Sequence, residues 1–188
     1  MIPIQIEAVV IGASAGALEA LSAILPALPA EFKLPLIVVV HVPPNKRSAL
    51  TDLFRAKCRL AVREVEDKEP ISGGTVYFAP PDYHLLIEVD RTLSLSNDEP
   101  VLFSRPSIDV LFESAAEAYG AALVAIILTG ANQDGAKGLC AVVQAGGIAI
   151  AQTPSEAFAS AMPQAAVDLC PSARVMSLGA IAAYLQEI

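Results

Sequence analysis

The sequence predicts an α/β protein with a doubly wound, mostly parallel sheet flanked by helices and an antiparallel hairpin in its middle section. Short aliphatic runs, such as 36–40 and 124–128, lack alternation and therefore suit strands that are buried on both faces. Alanine-rich segments of helical length separate these runs. Hydrophobic residues make up 54% of the chain and aromatic residues only 5%, which indicates an aliphatic core.

The first half of the chain alternates between apolar runs and helical segments. The predicted strands, each a short run rich in β-branched or aliphatic residues, are 7–11, 36–40, 59–65 and 75–79. Helices are predicted after Ser14 and over 48–57, and Pro26 and Pro29 end the first of them because proline cannot continue a helix. The segments 84–89 and 92–95, separated by Asp90-Arg91, predict the hairpin.

The second half continues the same alternation. Pro106 is predicted in the first turn of a helix that carries an apolar stripe and stops at Gly120. The remaining predicted elements are strands at 124–128 and 148–151 and helices at 136–144, 163–169 and 178–187. At 188 residues, the simplest organisation is one domain over 1–188.

Charge and cysteine content narrow the classes of partner and the compartment. A formal net charge of −8 argues against nucleic-acid phosphates and anionic membrane surfaces as partners. Cys58, Cys140 and Cys170 lack metal-ligand spacing and are interpreted as reduced thiols of a cytoplasmic protein. The apolar run 121–128 is too short to span a bilayer, so we expect no membrane insertion.

Ser14 lies in a G-x-S-x-G pattern between the first predicted strand and the first predicted helix. Gly12 and Gly16 flank it with the spacing of a nucleophile elbow, in which small residues let the backbone turn sharply and a substrate approach closely. A helix that starts there directs free N–H groups towards an oxyanion. An incidental serine in a strand-to-helix turn is the alternative interpretation of this motif taken alone.

Two further polar residues follow predicted strands. His41 ends the strand 36–40, and Asp134 lies in the loop after the strand 124–128. Because the carboxyl ends of parallel strands meet at one edge of a sheet, Ser14, His41 and Asp134 are candidates for a nucleophile, a base and an orienting carboxylate. The second of the two histidines, His84, begins the hairpin and is interpreted as structural.

A family resemblance rests on an ordered set of motifs. Each lies at the end of a predicted strand or the start of a predicted helix, and in chain order they are Ile11-Gly12-Ala13-Ser14-Ala15-Gly16, His41-Val42-Pro43-Pro44, Tyr77-Phe78-Ala79-Pro80-Pro81-Asp82-Tyr83-His84, Arg105-Pro106-Ser107-Ile108-Asp109-Val110-Leu111-Phe112, Leu128-Thr129-Gly130-Ala131-Asn132-Gln133-Asp134-Gly135-Ala136, Ala151-Gln152 and Met162-Pro163. Across nearly the whole chain, this set resembles the catalytic domain of the CheB-type chemotaxis protein-glutamate methylesterases.

The resemblance implies a hydrolase that cleaves glutamate γ-methyl esters on helices of chemoreceptors or related signalling proteins, and that also deamidates receptor glutamines. Ser14 matches the family's nucleophile, His41 its general base and acid, and Asp134 its orienting carboxylate. Residues 15 and 131 flank the family's oxyanion site, so the backbone N–H groups of Ala15 and Ala131 are the implied donors. No metal or organic cofactor is implied, and a separate response regulator or methyltransferase is a candidate partner.

Departures from the family pattern motivate a second hypothesis. The family commonly has Thr, Gly and Met where Ala15, Ala17 and Ala131 stand, and loss of one oxyanion donor costs about 100- to 1,000-fold in rate. A weakly active or inactive regulatory domain that retains the fold is therefore the alternative. The first predicted strand starts at residue 7, so we expect no N-terminal receiver domain in this chain.

A nucleotide-binding module is a further alternative, because it shares the strand, glycine-rich turn and helix of the opening segment. The turn lacks the third glycine of G-x-G-x-x-G, and His41 stands where an acidic residue would hold a ribose. A phosphate-binding G-K-[ST] sequence is also missing from the chain. These features disfavour nucleotide binding.

Overall fold

The computed structural model describes residues 5–41 and 49–188. The strands in chain order are β1 (Ala8–Ala13), β2 (Leu36–Val40), β3 (Ala61–Glu64), β4 (Thr75–Phe78), β5 (His84–Ile87), β6 (Leu93–Ser96), β7 (Leu123–Ile127), β8 (Ile148–Gln152) and β9 (Arg174–Met176). The helices are α1 (Ala17–Ile24), α2 (Leu50–Lys57), α3 (Ile108–Tyr119), α4 (Ala136–Gln144), α5 (Ala161–Leu169) and α6 (Leu178–Glu187).

Seven of the strands form a parallel sheet in the order β3-β4-β2-β1-β7-β8-β9. From β1 the chain places β2 beside it, then β3 at the edge of the sheet and β4 between β3 and β2, and it then returns to β7 on the other side of β1. The strand order therefore reverses between β1 and β7, and a crevice at such a switch point is where open α/β sheets bind ligands. β5 and β6 form a separate antiparallel pair.

The sheet separates two apolar cores, because its central strands are buried on both faces. One core contains residues of α3, α4 and α5 together with Leu85 and Leu93 of the hairpin. The other contains residues of α1, α2 and α6. In the described parts of the chain, no helix has both the length and the apolar character needed to cross a membrane.

The predicted fold class is confirmed, and the differences lie at element ends, in one strand and in three short 3₁₀ helices at Leu25–Ala27, Gly120–Ala122 and Pro154–Glu156. β1 runs on to Ala13, so Ser14 follows it directly. α3 starts at Ile108 with Ser107 as its N-cap, which leaves Pro106 before the helix rather than in its first turn. β9 was not predicted, since two of its three residues are exposed and it has no apolar run. The predicted start of α2 at Ser48 and the motif residues Val42, Pro43 and Pro44 lie outside the described residues.

Candidate active site

Ser14 and His41 follow two paired strands at the same register position. Ala13 of β1 is the register partner of Val40 of β2. The N–H of His41 donates to the carbonyl of Ala13 at 3.1 Å, and the N–H of Ser14 donates to the carbonyl of Thr129 at 2.9 Å. Since paired parallel strands lie about 4.8 Å apart, these hydrogen bonds hold the backbones of Ser14 and His41 side by side at the switch point.

His41 contacts Asp134 through its Nε2 atom. The distance from Nε2 to Asp134 Oδ2 is 2.7 Å, the imidazole is largely buried and the carboxylate is fully buried. Nδ1 is the ring nitrogen nearer to the His41 backbone. Within the described residues, no hydrogen bond joins Ser14 Oγ to the ring.

The carboxylate of Asp134 is seated on the N-terminus of α3. Its Oδ1 accepts hydrogen bonds from Ser107 Oγ at 2.9 Å and from the N–H of Asp109 at 3.0 Å. Its Oδ2 accepts one from the N–H of Ile108 at 2.7 Å in addition to its contact with His41. The first N–H groups of a helix have no partner within the helix, so a carboxylate there is bound by oriented donors and by the positive end of the helix dipole.

These contacts determine the charge of Asp134. Burial on its own raises the pKa of the carboxyl, but the hydrogen bonds from His41, Asp109 and Ile108 outweigh burial and lower the pKa below its ordinary value. Asp134 is therefore ionised at neutral pH. An ionised carboxylate only accepts hydrogen bonds, so Nε2 of His41 carries the proton and Nδ1 of the neutral ring is an acceptor.

Ile108 fits between two glycines, which brings the start of α3 close to the sheet. A Cβ on Gly12 would lie 2.3 Å from Ile108 Cγ2, and a Cβ on Gly135 would lie 2.7 Å from the same atom. Gly135 also has a φ of 96°, which few residues other than glycine adopt. The glycines at these two positions therefore allow the N–H of Ile108 to reach Asp134.

His84 contacts the backbone of Ser107, whose hydroxyl donates to Asp134. The N–H of Ser107 donates to His84 Nδ1 at 3.1 Å, and His84 Nε2 lies 3.0 Å from the carbonyl of Glu99. Because Nδ1 accepts, the neutral ring carries its proton on Nε2 and donates it to Glu99. The sequence predicts a structural role for His84, and among the described residues its hydrogen bonds reach the site through Ser107. The serine's place as N-cap before the apolar stripe of α3 is the signal that could have identified Ser107.

Thr129 ties the turn after Ser14 to the segment before α5. Thr129 Oγ1 donates to the carbonyl of Ala15 at 2.8 Å and accepts from the N–H of Ala159 at 2.9 Å. The N–H of Thr129 donates to the side chain of Gln152, which is buried. The N–H groups of Ala15 and Ala131 donate to no described residue.

The sequence-predicted residues thus converge at one edge of the sheet. The structure brings Ser14, His41, Asp134, Ala15 and Ala131 to the ends of β1, β2 and β7. Among residues 5–41 and 49–188, no group of three or more His, Cys, Asp or Glu side chains is placed to hold a metal ion. What the arrangement offers is a hydroxyl beside an imidazole, a buried carboxylate and backbone donors.

The chain is similar to known proteins in family, in sequence and in structure. Residues 9–185 match the family described as CheB methylesterase. A protein of Leptospira interrogans (serovar copenhageni), named putative protein-glutamate methylesterase/protein-glutamine glutaminase, is 47% identical over 94% of this chain and 91% of its own length. A protein-glutamate methylesterase/protein-glutamine glutaminase of Symbiobacterium thermophilum is 36% identical over 93% of this chain, which spans 48% of that relative.

A solved structure agrees with these matches. The crystal structure of the Thermotoga maritima CheB methylesterase catalytic domain superposes with a TM-score of 0.92 and 33% sequence identity, covering 98% of this chain and 99% of that one. The similarity therefore extends through every layer of the fold and through the sheet edge at which the candidate residues meet. The chain belongs to the CheB methylesterase family, whose members are carboxylic ester hydrolases.

Proposed function

We propose that this chain is a serine hydrolase that removes the methyl groups of glutamate γ-methyl esters on chemoreceptors or related signalling proteins and deamidates glutamines of the same proteins. The observation that carries the proposal is the buried His41–Asp134 pair beside Ser14, in a chain of the CheB methylesterase family. Curated relatives are named for both reactions, methylesterase and glutaminase. Both reactions are acyl transfers at a glutamyl carbonyl, so one site serves both.

In the proposed first step, Ser14 Oγ attacks the carbonyl carbon of the ester while His41 Nδ1 accepts its proton. Asp134 remains ionised and stabilises the imidazolium through Nε2. The hydrogen bond between Ser14 and His41 forms as substrate binds, as is common for catalytic contacts that are long in substrate-free enzymes. The bond from the carbonyl carbon to the methoxy oxygen then breaks, and the imidazolium protonates the departing methoxide to give methanol.

The proposed second step hydrolyses the acyl-enzyme. Water attacks the carbonyl carbon as His41 Nδ1 takes a proton from it, and the imidazolium then returns a proton to Ser14 Oγ. The products are a glutamate carboxylate and the free serine. With a glutamine substrate, the leaving group of the first step is ammonia instead of methanol.

The backbone N–H groups of Ala15 and Ala131 are the proposed oxyanion donors. Backbone donors persist whatever the side chain, so alanine at both positions leaves them in place. A family hydroxyl at position 15 is absent here, which predicts turnover below that of relatives with threonine by up to about 100- to 1,000-fold if that hydroxyl is a donor. The proposed partners are methylated signalling-protein helices and a separate response regulator or methyltransferase, and the proposed location is the cytoplasm.

Labelling with a fluorophosphonate probe tests the proposal directly, because it requires a serine activated by a neighbouring base. We expect the wild-type chain to be labelled at Ser14 and to release methanol from a methylated chemoreceptor. Ser14→Ala should abolish labelling and lower methanol release by about 10⁴-fold or more. Folded wild-type protein that neither reacts with the probe nor releases methanol would instead identify a regulatory domain that keeps the fold without catalysis.

A further inference from the structure

A tight turn near the site carries two large apolar side chains in a strained backbone conformation. Val101 and Ser104 exchange both backbone hydrogen bonds, at 3.0 and 2.8 Å, around a two-residue tip. The tip residues Leu102 and Phe103 have φ values of 48° and 63°. Turns with positive φ at both central positions strongly favour Asn-Gly, because larger side chains are strained there.

At the tip of the turn, no packing within the described residues covers Phe103. The Phe103 side chain is fully exposed, and Leu102 is also exposed. Strained conformations and exposed apolar groups are each costly, and both are concentrated at sites that bind something. The tip therefore has the properties of a contact surface for another molecule.

The tip lines a groove that opens beside the candidate active site. A cavity of about 420 Å³ is lined by Leu102, Phe103, Asn132, Gln133, Ala161 and Ala165. Asn132 and Gln133 join the proposed oxyanion donor Ala131 to Asp134, so this groove and the site share a loop. The groove therefore opens next to the loop that carries Ala131 and Asp134.

Phe158 extends the apolar rim next to Ser14. Its side chain is 77% exposed, and a Cβ on Gly16 would lie 2.6 Å from Phe158 Cβ, so Phe158 packs directly over the turn that holds Ser14. Its neighbour Ala159 is hydrogen-bonded to Thr129 and Gly130. Phe158 is thus fixed on the loop that leads into α5, at the start of which Ala161 lines the same groove.

We propose that Leu102, Phe103 and Phe158 bind apolar side chains that flank the esterified glutamate in the substrate polypeptide. This inference rests on the proposed function and adds a preference for sequence context. The charge of the surroundings points the same way, since the chain has a net charge of −8 and, among the described residues that line an adjoining cavity, Asp109 and Asp168 outnumber the cation Lys137. Apolar flanks avoid the repulsion that acidic flanks would meet.

The test uses two synthetic peptides that each carry one glutamyl γ-methyl ester, together with the small ester N-acetylglutamate γ-methyl ester. Leucines flank the esterified residue on both sides in one peptide, and serines flank it in the other. We expect wild-type protein to hydrolyse the leucine-flanked peptide with a KM about tenfold lower than the serine-flanked one. In L102N/F103G, which replaces the tip with Asn-Gly, this preference should disappear, turnover of the small ester should stay within about twofold, and Tm should rise as strain is relieved.

Val89→Ser is a matched control, because Val89 is also an exposed apolar residue. It lies two residues from Arg91, whose side chain pairs with Glu7 at the opposite edge of the sheet. Val89→Ser should leave the peptide preference unchanged. An equal preference in wild type and L102N/F103G would overturn the inference. So would a wild-type protein that is a dimer and a double variant that is a monomer, because a second copy of the chain would then be the occupant. Wild-type protein that hydrolyses none of the three esters would contradict the proposed function itself.

Discussion

His41 and Asp134 meet through Nε2 of the imidazole and Oδ2 of the carboxylate, 2.7 Å apart. The nitrogen that remains for the proposed nucleophile Ser14 is Nδ1, the one nearer the main chain. This arrangement is compatible with a strand-end site, because the His41 and Ser14 backbones are neighbours whereas Asp134 is presented from a loop across the switch point. The roles of base and orienting carboxylate depend on geometry and not on which nitrogen is used.

Replacing Asp134 by Asn should lower kcat for ester hydrolysis by about 10⁴-fold, because a neutral amide neither holds the required tautomer nor stabilises the imidazolium. It should also lower the free energy of unfolding by about 3–5 kcal/mol, since buried donors that face two carboxylate oxygens would meet an NH₂ group instead. Steady-state kinetics and urea denaturation measure the two effects. A kcat within about tenfold of wild type would contradict the role assigned to Asp134.

The pH dependence of stability follows from the lowered pKa of Asp134, in which burial is outweighed by the His41, Asp109 and Ile108 hydrogen bonds. A lowered pKa stabilises the folded state at pH values above the ordinary aspartate pKa, and this contribution is lost as pH falls through the lowered value. The stability difference between wild type and Asp134→Asn should therefore be large at about pH 6 and shrink as the pH falls below the ordinary aspartate pKa of about 3.9. Urea denaturation across this range measures it, and a difference that is constant with pH would contradict the assignment.

Ser107→Ala should destabilise the protein and perturb Asp134. It removes the N-cap of α3 and the Ser107 Oγ donor to Asp134, so we expect a loss of about 2–4 kcal/mol in the free energy of unfolding and a rise in the pKa of Asp134. Ser177→Ala is the matched control, because Ser177 caps α6 by accepting from the N–H of Ala180. Ser177→Ala should lower the free energy of unfolding by about 1 kcal/mol. It should leave the dependence of ester hydrolysis on acidic pH unchanged.

His84 variants test whether an acceptor behind Ser107 is required. His84→Ala leaves the N–H of Ser107 without a partner and should cost about 1–3 kcal/mol of stability together with activity. In His84→Asn, the amide oxygen takes the position of Nδ1, and much of both losses should be recovered. Thermal denaturation and ester hydrolysis provide the readouts. Equal losses in the two variants would show that ring packing matters and the hydrogen bond does not.

Gly12→Ala should push Ile108 away from the sheet, because the new Cβ would lie 2.3 Å from Ile108 Cγ2. We expect a loss of about 1–3 kcal/mol in stability and up to about 100-fold in kcat, as the N–H of Ile108 moves from Asp134. Gly179→Ala is the control, since a Cβ there meets nothing within 4 Å. It should stabilise α6 by about 0.5–1 kcal/mol without changing kcat.

The strand ends were accessible to prediction because their signal is local. Apolar runs that stop at Ser14, at His41 and shortly before Asp134 need no knowledge of tertiary structure, and a parallel sheet then brings those ends to one edge. The small edge strand β9 gave no such signal, since neither its length nor its exposure distinguishes it from a loop.

The support of Asp134 by α3 was not predictable in the same way. Ser107 and Asp134 belong to different segments, and only the packing of α3 over β1 brings the serine hydroxyl to the carboxylate. Likewise, a sequence cannot state which nitrogen of His41 faces Asp134 or that His84 accepts from Ser107. Such contacts depend on helix placement to within an ångström.

The order of strands in the sheet links activity to the completion of folding. β1 cannot acquire its neighbour β7, where Val9 pairs with Val124, until most of the chain has been synthesised and the intervening loop has closed. Contacts between residues so distant in sequence form late, because the entropy of closing the loop is lost before the contacts stabilise the fold. The chemistry proposed for Ser14 should thus be absent from any N-terminal fragment that ends before β7, however much of the sheet that fragment has formed.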